Sequence, residues 1–159
     1  MAIEKTLVLI KPDGMRRRLA GLAIDRLDGT RLEMVAAKVV SVTEELARKH
    51  YALLEGQGIF KDKKMYDQLI NFIKGDFHEV AGRRVIAMVY QGENAVKEIR
   101  AIVGATNPES AAPGTIRGSF GRISSKHGHF ENVVHASGNA EEAEREVGIW
   151  FRPEELVAL

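Results

Sequence analysis

The 159-residue chain has no cysteine. That excludes a disulfide framework, a thiolate metal site and a cysteine nucleophile. It also lacks an excess of charge of either sign: 23 Lys and Arg face 22 Asp and Glu, a net charge of +1. A domain that holds nucleic acid by charge alone is usually strongly basic, so that class is disfavoured. Aromatic residues are 6 % of the chain and are not interleaved with a basic stripe, which argues against a surface for stacking single strands. No apolar run approaches the roughly 20 residues of a membrane span. The start, Met1-Ala-Ile-Glu-Lys-Thr6, has no apolar stretch behind a basic end, so no secretory leader is expected and a cytoplasmic location is. There is no Gly-x-x-x-x-Gly-Lys-Ser/Thr loop and no Gly-x-Ser-x-Gly elbow, and Gly118-Ser-Phe-Gly121 is too short for a dinucleotide fingerprint.

Apolar residues at 45 % and charged residues at 28 % give a globular composition, and the length predicts one domain over residues 1–159. Thr6-Leu-Val-Leu-Ile10 is a continuous apolar, β-branched run suited to a buried central strand. It stops at Lys11-Pro-Asp-Gly14, which reads as a turn. Spacing predicts helices over 19–27, from Thr43 to about Leu54, and over 65–73, 93–103 and 140–150. Strands are predicted over 32–42, 85–90 and 132–135. Residues 104–128 show little periodicity, and such stretches are more often functional than idle. The expected fold class is α+β: a ferredoxin-like sandwich with a four-stranded antiparallel sheet and helices packed on it.

Four features carry candidate chemistry. Lys11 ends a buried strand at the rim where ligands bind; the plain alternative is a solvated lysine. Arg100, Thr106 and Arg117 flank a loop stiffened by Pro108 and Pro113, and guanidinium groups match phosphate oxygens with paired hydrogen bonds. The plain alternative is a set of surface arginines. His135 ends the run Asn132-Val-Val; imidazole is a neutral nucleophile near pH 7 if its other nitrogen is held, and Glu146 on the next helix could hold it. The alternative is a structural histidine. His127-Gly-His129 could chelate a metal, but no third ligand is evident nearby. His50 and His78 read as surface or helix-packing residues.

Taken together, the motifs carry a family likeness. Thr6-Leu-Val-Leu-Ile-Lys11-Pro-Asp13, His50-Tyr51, Val85 to Val96, Gly104-Ala-Thr106-Asn-Pro108, Pro113-Gly-Thr-Ile-Arg117-Gly, Asn132-Val-Val-His135-Ala-Ser137, Ala143-Glu-Arg-Glu146 and Trp150-Phe resemble the nucleoside diphosphate kinases in order and content. The likeness covers nearly the whole chain. It implies a ping-pong transfer of the γ-phosphoryl of a nucleoside triphosphate such as ATP, through a pros-phosphohistidine, to a nucleoside diphosphate. It implies His135 as nucleophile and Lys11, Arg100 and Arg117 as phosphate-binding cations. Tyr51 and Thr106 match pocket hydroxyls, Asn132 the residue near the ribose hydroxyl, and Ser137 and Glu146 the groups that hold the imidazole. Mg²⁺ would be held by the nucleotide phosphates and not by protein side chains. Members are homo-oligomers, and a hexamer is expected ahead of a tetramer. Neither a membrane nor nucleic acid is an expected partner. Loss of activity with the fold retained is expected for Arg117→Ala.

The chain departs from the family pattern in places. Gly138 stands for an Asp, Ser119 for another Asp and Arg18 for a Gly. Met65 aligns with the residue that stacks on the base, with Phe60 as the alternative. Extra residues fall near 56–64, 75–84 and 121–131. Altered base contacts or altered subunit packing are expected from them, at unchanged chemistry. A non-catalytic nucleotide-binding scaffold of the same fold is the alternative function.

Overall fold

The computed structural model describes residues 2–159. The order is β1 (Ile3–Ile10), α1 (Pro12–Arg16), α2 (Ala20–Asp28), β2 (Glu33–Ser41), α3 (Glu44–His50), α4 (Lys63–Ile73), β3 (Arg84–Glu93) and α5 (Ala95–Val103). Then follow α6 (Ile116–Phe120), β4 (Arg122–Ile123), β5 (Phe130–Glu131), β6 (Val134–Ala136) and α7 (Ala140–Trp150). Four strands form one sheet in the order β2-β3-β1-β6, each neighbour antiparallel.

The expected α+β sandwich is the one observed. The apolar run of β1 is buried on both faces because helices cover both. Leu7 and Leu9, with Val85, Ala87 and Val89 of β3, pack under α3, α4 and α7 through Ala47, Tyr66, Ile70, Ile73 and Trp150. Val8 and Ile10, with Met88 and Tyr90, pack under α2, α5 and α6 through Ala23, Leu27, Ile99, Val103 and Ile116. The period-2 alternation of the strands thus sorts one continuous hydrophobic run into two cores. Among the described residues, no helix is long and apolar enough to cross a membrane.

Local differences have local causes. The expected turn at 11–14 is the short helix α1, entered through Pro12, whose fixed φ suits a first helical position. The helix begun by the Thr43 cap, whose hydroxyl accepts from the Leu46 amide, ends at His50 and not near Leu54. Beyond it Leu53 and Leu54 are exposed and offer no face to bury. The stretch 104–128 contains α6, capped by Thr115, and the first strand of the small β4–β5 hairpin. Both are too short for a periodic signal. The strand expected over 132–135 begins two residues late, because Val133 takes φ +72 and turns the chain.

Candidate active site

Strand pairing places Leu9 of β1 opposite His135 of β6. Cross-strand partners share a face, so His135 looks toward α3 and α7. There its Nε2 lies 3.0 Å from Glu146 Oε2 and 3.1 Å from Oε1. Ser137 Oγ donates to the same carboxylate at 2.8 Å and itself accepts from the Leu7 amide at 3.2 Å. A carboxylate only accepts, so the imidazole proton sits on Nε2 and the lone pair on Nδ1. The His135 side chain is 18 % exposed, open at one edge and anchored at the other.

His50, expected on the surface or in helix packing, is buried beside His135. Its ring meets that of His135 edge to face, with centroids 4.6 Å apart. Trp150 Nε1 donates to His50 Nδ1 at 3.0 Å. Burial, reinforced by the positive charge that His135, Arg145 and Lys11 can carry, holds the His50 pKa well below its ordinary value. A neutral His50 with Nδ1 accepting must carry its proton on Nε2, which is buried without a partner. The signal in sequence was the pair His50-Tyr51 within the family-like blocks.

Lys11 leaves the end of β1 and donates to Asn132 Oδ1 at 2.8 Å, with its ammonium 4.6 Å from the centroid of Phe72. Asn132 Nδ2 in turn donates to the Thr106 carbonyl at 2.9 Å, which ties the irregular loop to the site. Burial lowers the Lys11 pKa to about 8; Asp13 and Glu131 oppose the shift and the Arg117 charge adds to it. Arg117 donates to the carbonyls of Gly104 (3.1 Å) and Val134 (2.9 Å). Its pKa falls to about 10, through burial and then the charge of Arg100, and it stays charged at neutral pH. Arg100, exposed in the last turn of α5, is near enough to press on Arg117. Burial and the Glu146 charge push the Tyr51 phenol up, so it remains a neutral hydroxyl. Met65 sits at the surface of α4, 36 % exposed, whereas Phe60 packs inward against Tyr66. Both keep some exposed surface.

A strained turn leads into the strand that carries His135. Val134 N bonds the Asn132 carbonyl at 2.8 Å across Val133, whose φ of +72 is rare for a β-branched residue. Such strain costs roughly 1–3 kcal/mol and persists only when the surroundings over-determine it. Here Asp13 Oδ2 accepts from Val133 N at 2.8 Å and the Val133 carbonyl accepts from Lys11 N at 2.9 Å. Gly14 lets the carbonyl approach: a Cβ there would lie 2.9 Å from it.

Among the described residues one set of three ligating groups clusters within 4.8 Å: His50, His135 and Glu146. Two imidazoles make a nitrogen-rich set, whereas Mg²⁺ takes hard oxygens. The Glu146 oxygens are also engaged by His135 and Ser137. That set is therefore a poor cage for Mg²⁺.

The family model described as nucleoside diphosphate kinase matches residues 4–156. This chain belongs to the nucleoside diphosphate kinase family. The nucleoside diphosphate kinase of Archaeoglobus fulgidus is 41 % identical over 98 % of this chain and 91 % of its own length. Human nucleoside diphosphate kinase 3 is 40 % identical over 98 % of this chain and 82 % of its own. Among solved structures, the Borrelia burgdorferi enzyme with vanadate and ADP, a transition-state mimic, superposes with a TM-score of 0.84 at 37 % identity, covering 99 % of this chain and 92 % of that one. The Halobacterium salinarum enzyme in complex with CDP gives 0.80 at 38 % identity, covering 99 % and 93 %. Two departures from the family pattern have local partners. Ser119 Oγ donates to the Pro113 carbonyl, and the Gly138 amide donates to Glu142 Oε2. Arg18 holds φ +57, a conformation in which glycine is unstrained.

Proposed function

We propose that this member is an active nucleoside diphosphate kinase that works through phosphorylation of His135. The observation that carries the reading is the imidazole tied by Nε2 to Glu146, on a strand whose neighbouring Val134 carbonyl accepts from Arg117 and whose preceding Asn132 accepts from Lys11. In the first half-reaction Nδ1 attacks the γ-phosphorus. The N–P bond forms, the bond to the bridging oxygen breaks, and the diphosphate leaves with that electron pair. In the second half-reaction a different diphosphate attacks the phosphohistidine and restores the free ring. One site thus serves donor and acceptor in turn.

Phosphoryl transfer asks mainly for position and charge. Lys11, Arg100 and Arg117 are proposed to meet the phosphates, with Thr106 and Tyr51 as neutral donors and Asn132 orienting Lys11 beside the ribose. Glu146, steadied by Ser137, stabilises the positive ring as the bond forms. His50 is ruled out as a rival nucleophile by its bond from Trp150 and its proton on Nε2. Mg²⁺ bound through the β- and γ-phosphates would offset negative charge there. Met65 is proposed to lie against the base, and a pocket that reads phosphates is tolerant of base and sugar. A homo-oligomer, a hexamer before a tetramer, and a cytoplasmic location complete the reading; mass measurement in solution tests the assembly.

The decisive experiment incubates the protein with ATP and looks for acid-labile, base-stable phosphate on the chain. Labelling is expected in wild type and absent in His135→Ala. Equal labelling of the alanine variant would overturn the choice of nucleophile. Nucleotide binding with no phosphate exchange between ADP and GTP would make the protein a scaffold.

A further inference from the structure

The stretch 104–121 carries Thr106 and Arg117 and is folded tightly on itself. Thr115 Oγ1 donates to the Ala112 carbonyl at 2.7 Å and accepts from the Gly118 amide at 3.0 Å. Ser119 Oγ donates to the Pro113 carbonyl at 2.6 Å, and the amides of Ser110 and Ala111 bond back to the carbonyls of Asn107 and Pro108. Gly118 permits the closest approach, since a Cβ there would lie 2.0 Å from the Ala112 carbonyl oxygen. A loop packed by its own bonds in this way is a compact unit, and what places it is the few bonds that tie it to the rest of the fold.

On the inner side, Asn132 Nδ2 holds the Thr106 carbonyl and Arg117 reaches the Val134 carbonyl. On the outer side two arginines from the first helices reach the loop. Arg17, just past α1, donates through Nη1 to the Phe120 carbonyl at 2.7 Å. Arg26, in the last turn of α2, donates through Nη1 to the Gly114 carbonyl at 2.9 Å, and its guanidinium lies 5.4 Å from the centroid of the Phe120 ring. The accepting carbonyls stand three residues before Arg117 and three after it. Phe120 ends α6, and the last carbonyls of a helix have no partner within it, so the Arg17 bond supplies one.

We propose that Arg17 and Arg26 are positioning residues for the phosphate site: by holding the chain on both sides of Arg117 they set where Arg117 and Thr106 stand. The inference rests on the reading that Arg117 meets a nucleotide phosphate. A displacement of about 1 Å in a substrate-positioning group can cost about 100-fold, so bonds made to the backbone behind such a group can set its contribution. Gly114 and Phe120 flank Arg117 more closely than they flank Thr106, so Arg117 is the residue through which the effect runs. Each arginine leaves the other in place, and a single substitution is expected to cost less than the pair.

The test measures ADP affinity by calorimetry, which needs no turnover, in Arg17→Met, Arg26→Met and the pair. Methionine keeps an apolar stem and removes the donors, and thermal melting checks that each variant is folded. An ADP Kd raised roughly 3- to 10-fold is expected in each single variant, and more in the pair. In the exchange of phosphate between ADP and GTP, KM is expected to rise more than kcat falls. Arg17→Lys and Arg26→Lys keep a charged donor and are expected to recover part of the affinity. In an Arg117→Ala background Arg17→Met is expected to cost little more, because the residue it positions is gone. Arg16→Met removes the same charge from an exposed neighbour and is expected to bind ADP as wild type does. The proposal is overturned if both methionine variants bind ADP unchanged while Arg117→Ala binds it weakly, if Arg17→Met loses as much affinity in the Arg117→Ala background as alone, or if Arg16→Met loses as much as Arg17→Met. ADP affinity unchanged in Arg117→Ala, or no ADP binding by wild type, overturns the phosphate reading of Arg117 and the inference with it.

Discussion

Glu146 holds His135 through Nε2 and leaves Nδ1 to the open edge of the ring. The 3.0 Å contact between Glu146 Oε2 and His135 Nε2 fixes the tautomer and puts the lone pair on Nδ1. As a phosphate bonds to Nδ1 the ring gains positive charge, and the contact becomes charge-assisted on both sides. Glu146→Gln keeps an acceptor for Nε2–H and removes the charge. Hydrogen bonds to charged groups contribute about 1.5–3 kcal/mol, so phosphohistidine formation is expected to slow roughly 10- to 100-fold. Single-turnover labelling by ATP measures this. An unchanged rate would mean that the carboxylate only positions the ring.

The low pKa of Lys11 makes activity sensitive to mild alkali. Its ammonium is the form that attracts phosphate, and burial brings its pKa from 10.5 to about 8. In the free enzyme kcat/KM is expected to fall as pH rises through about 8, following a single proton. The linkage to stability runs the other way. Between about 8 and 10.5 the unfolded chain holds this proton more tightly than the folded one, so the Lys11 contribution to stability rises with pH. Lost activity without lost Tm over that window would separate the lysine from general unfolding. In Lys11→Gln the alkaline limb is expected to disappear along with most of the activity.

The sequence made the strands and their burial legible because β1 and β3 are unbroken apolar runs, each feeding two cores. The nearness of Lys11 to Asn132 and of His135 to Glu146 was legible because each stands beside a strand end or on the helix that follows. Other features depend on distant backbone. Whether His50 is a packing residue or a neighbour of the nucleophile is decided by how α3 meets α7 at Trp150, which no local pattern records. The five residues of α6 complete barely more than one turn, too little for a period of 3.6. The late start of β6 rests on one φ angle at Val133, imposed by Asp13 from the far side of the sequence.

Arg117 has a structural side that its sequence position does not record: the expectation from sequence is lost activity with the fold retained in Arg117→Ala. In the structure its guanidinium donates to the carbonyls of Gly104 and Val134, the second next to His135. Arg117→Ala leaves one buried and one part-buried acceptor without this donor and is expected to cost about 1–3 kcal/mol of stability in addition to activity. Arg117→Lys keeps the charge and one bond and is expected to restore part of the stability and little of the rate, since the fork geometry is lost. Urea unfolding of the two variants checks the first claim. A stability for Arg117→Ala equal to wild type would return the residue to a purely ligand-binding role.

The hydrogen bond from Val133 N to Asp13 couples the first loop to the nucleophile's strand and can be tested for strain. Asp13→Ala leaves a buried amide unpaired and removes one clamp on the +72° turn. A loss of about 1–3 kcal/mol is expected, with slower His135 phosphorylation because the turn lies two residues before the ring. Val133→Gly permits the same φ without strain but gives up a fully buried side chain, worth about 1.5–3 kcal/mol, so its stability is expected to stay near wild type. In the double variant glycine needs no clamp, so the cost of Asp13→Ala in that background should shrink. If the turn is held for catalysis, the rate stays low although stability recovers. If the double variant recovers both, the clamp serves the fold and the strain at Val133 has no part in placing His135.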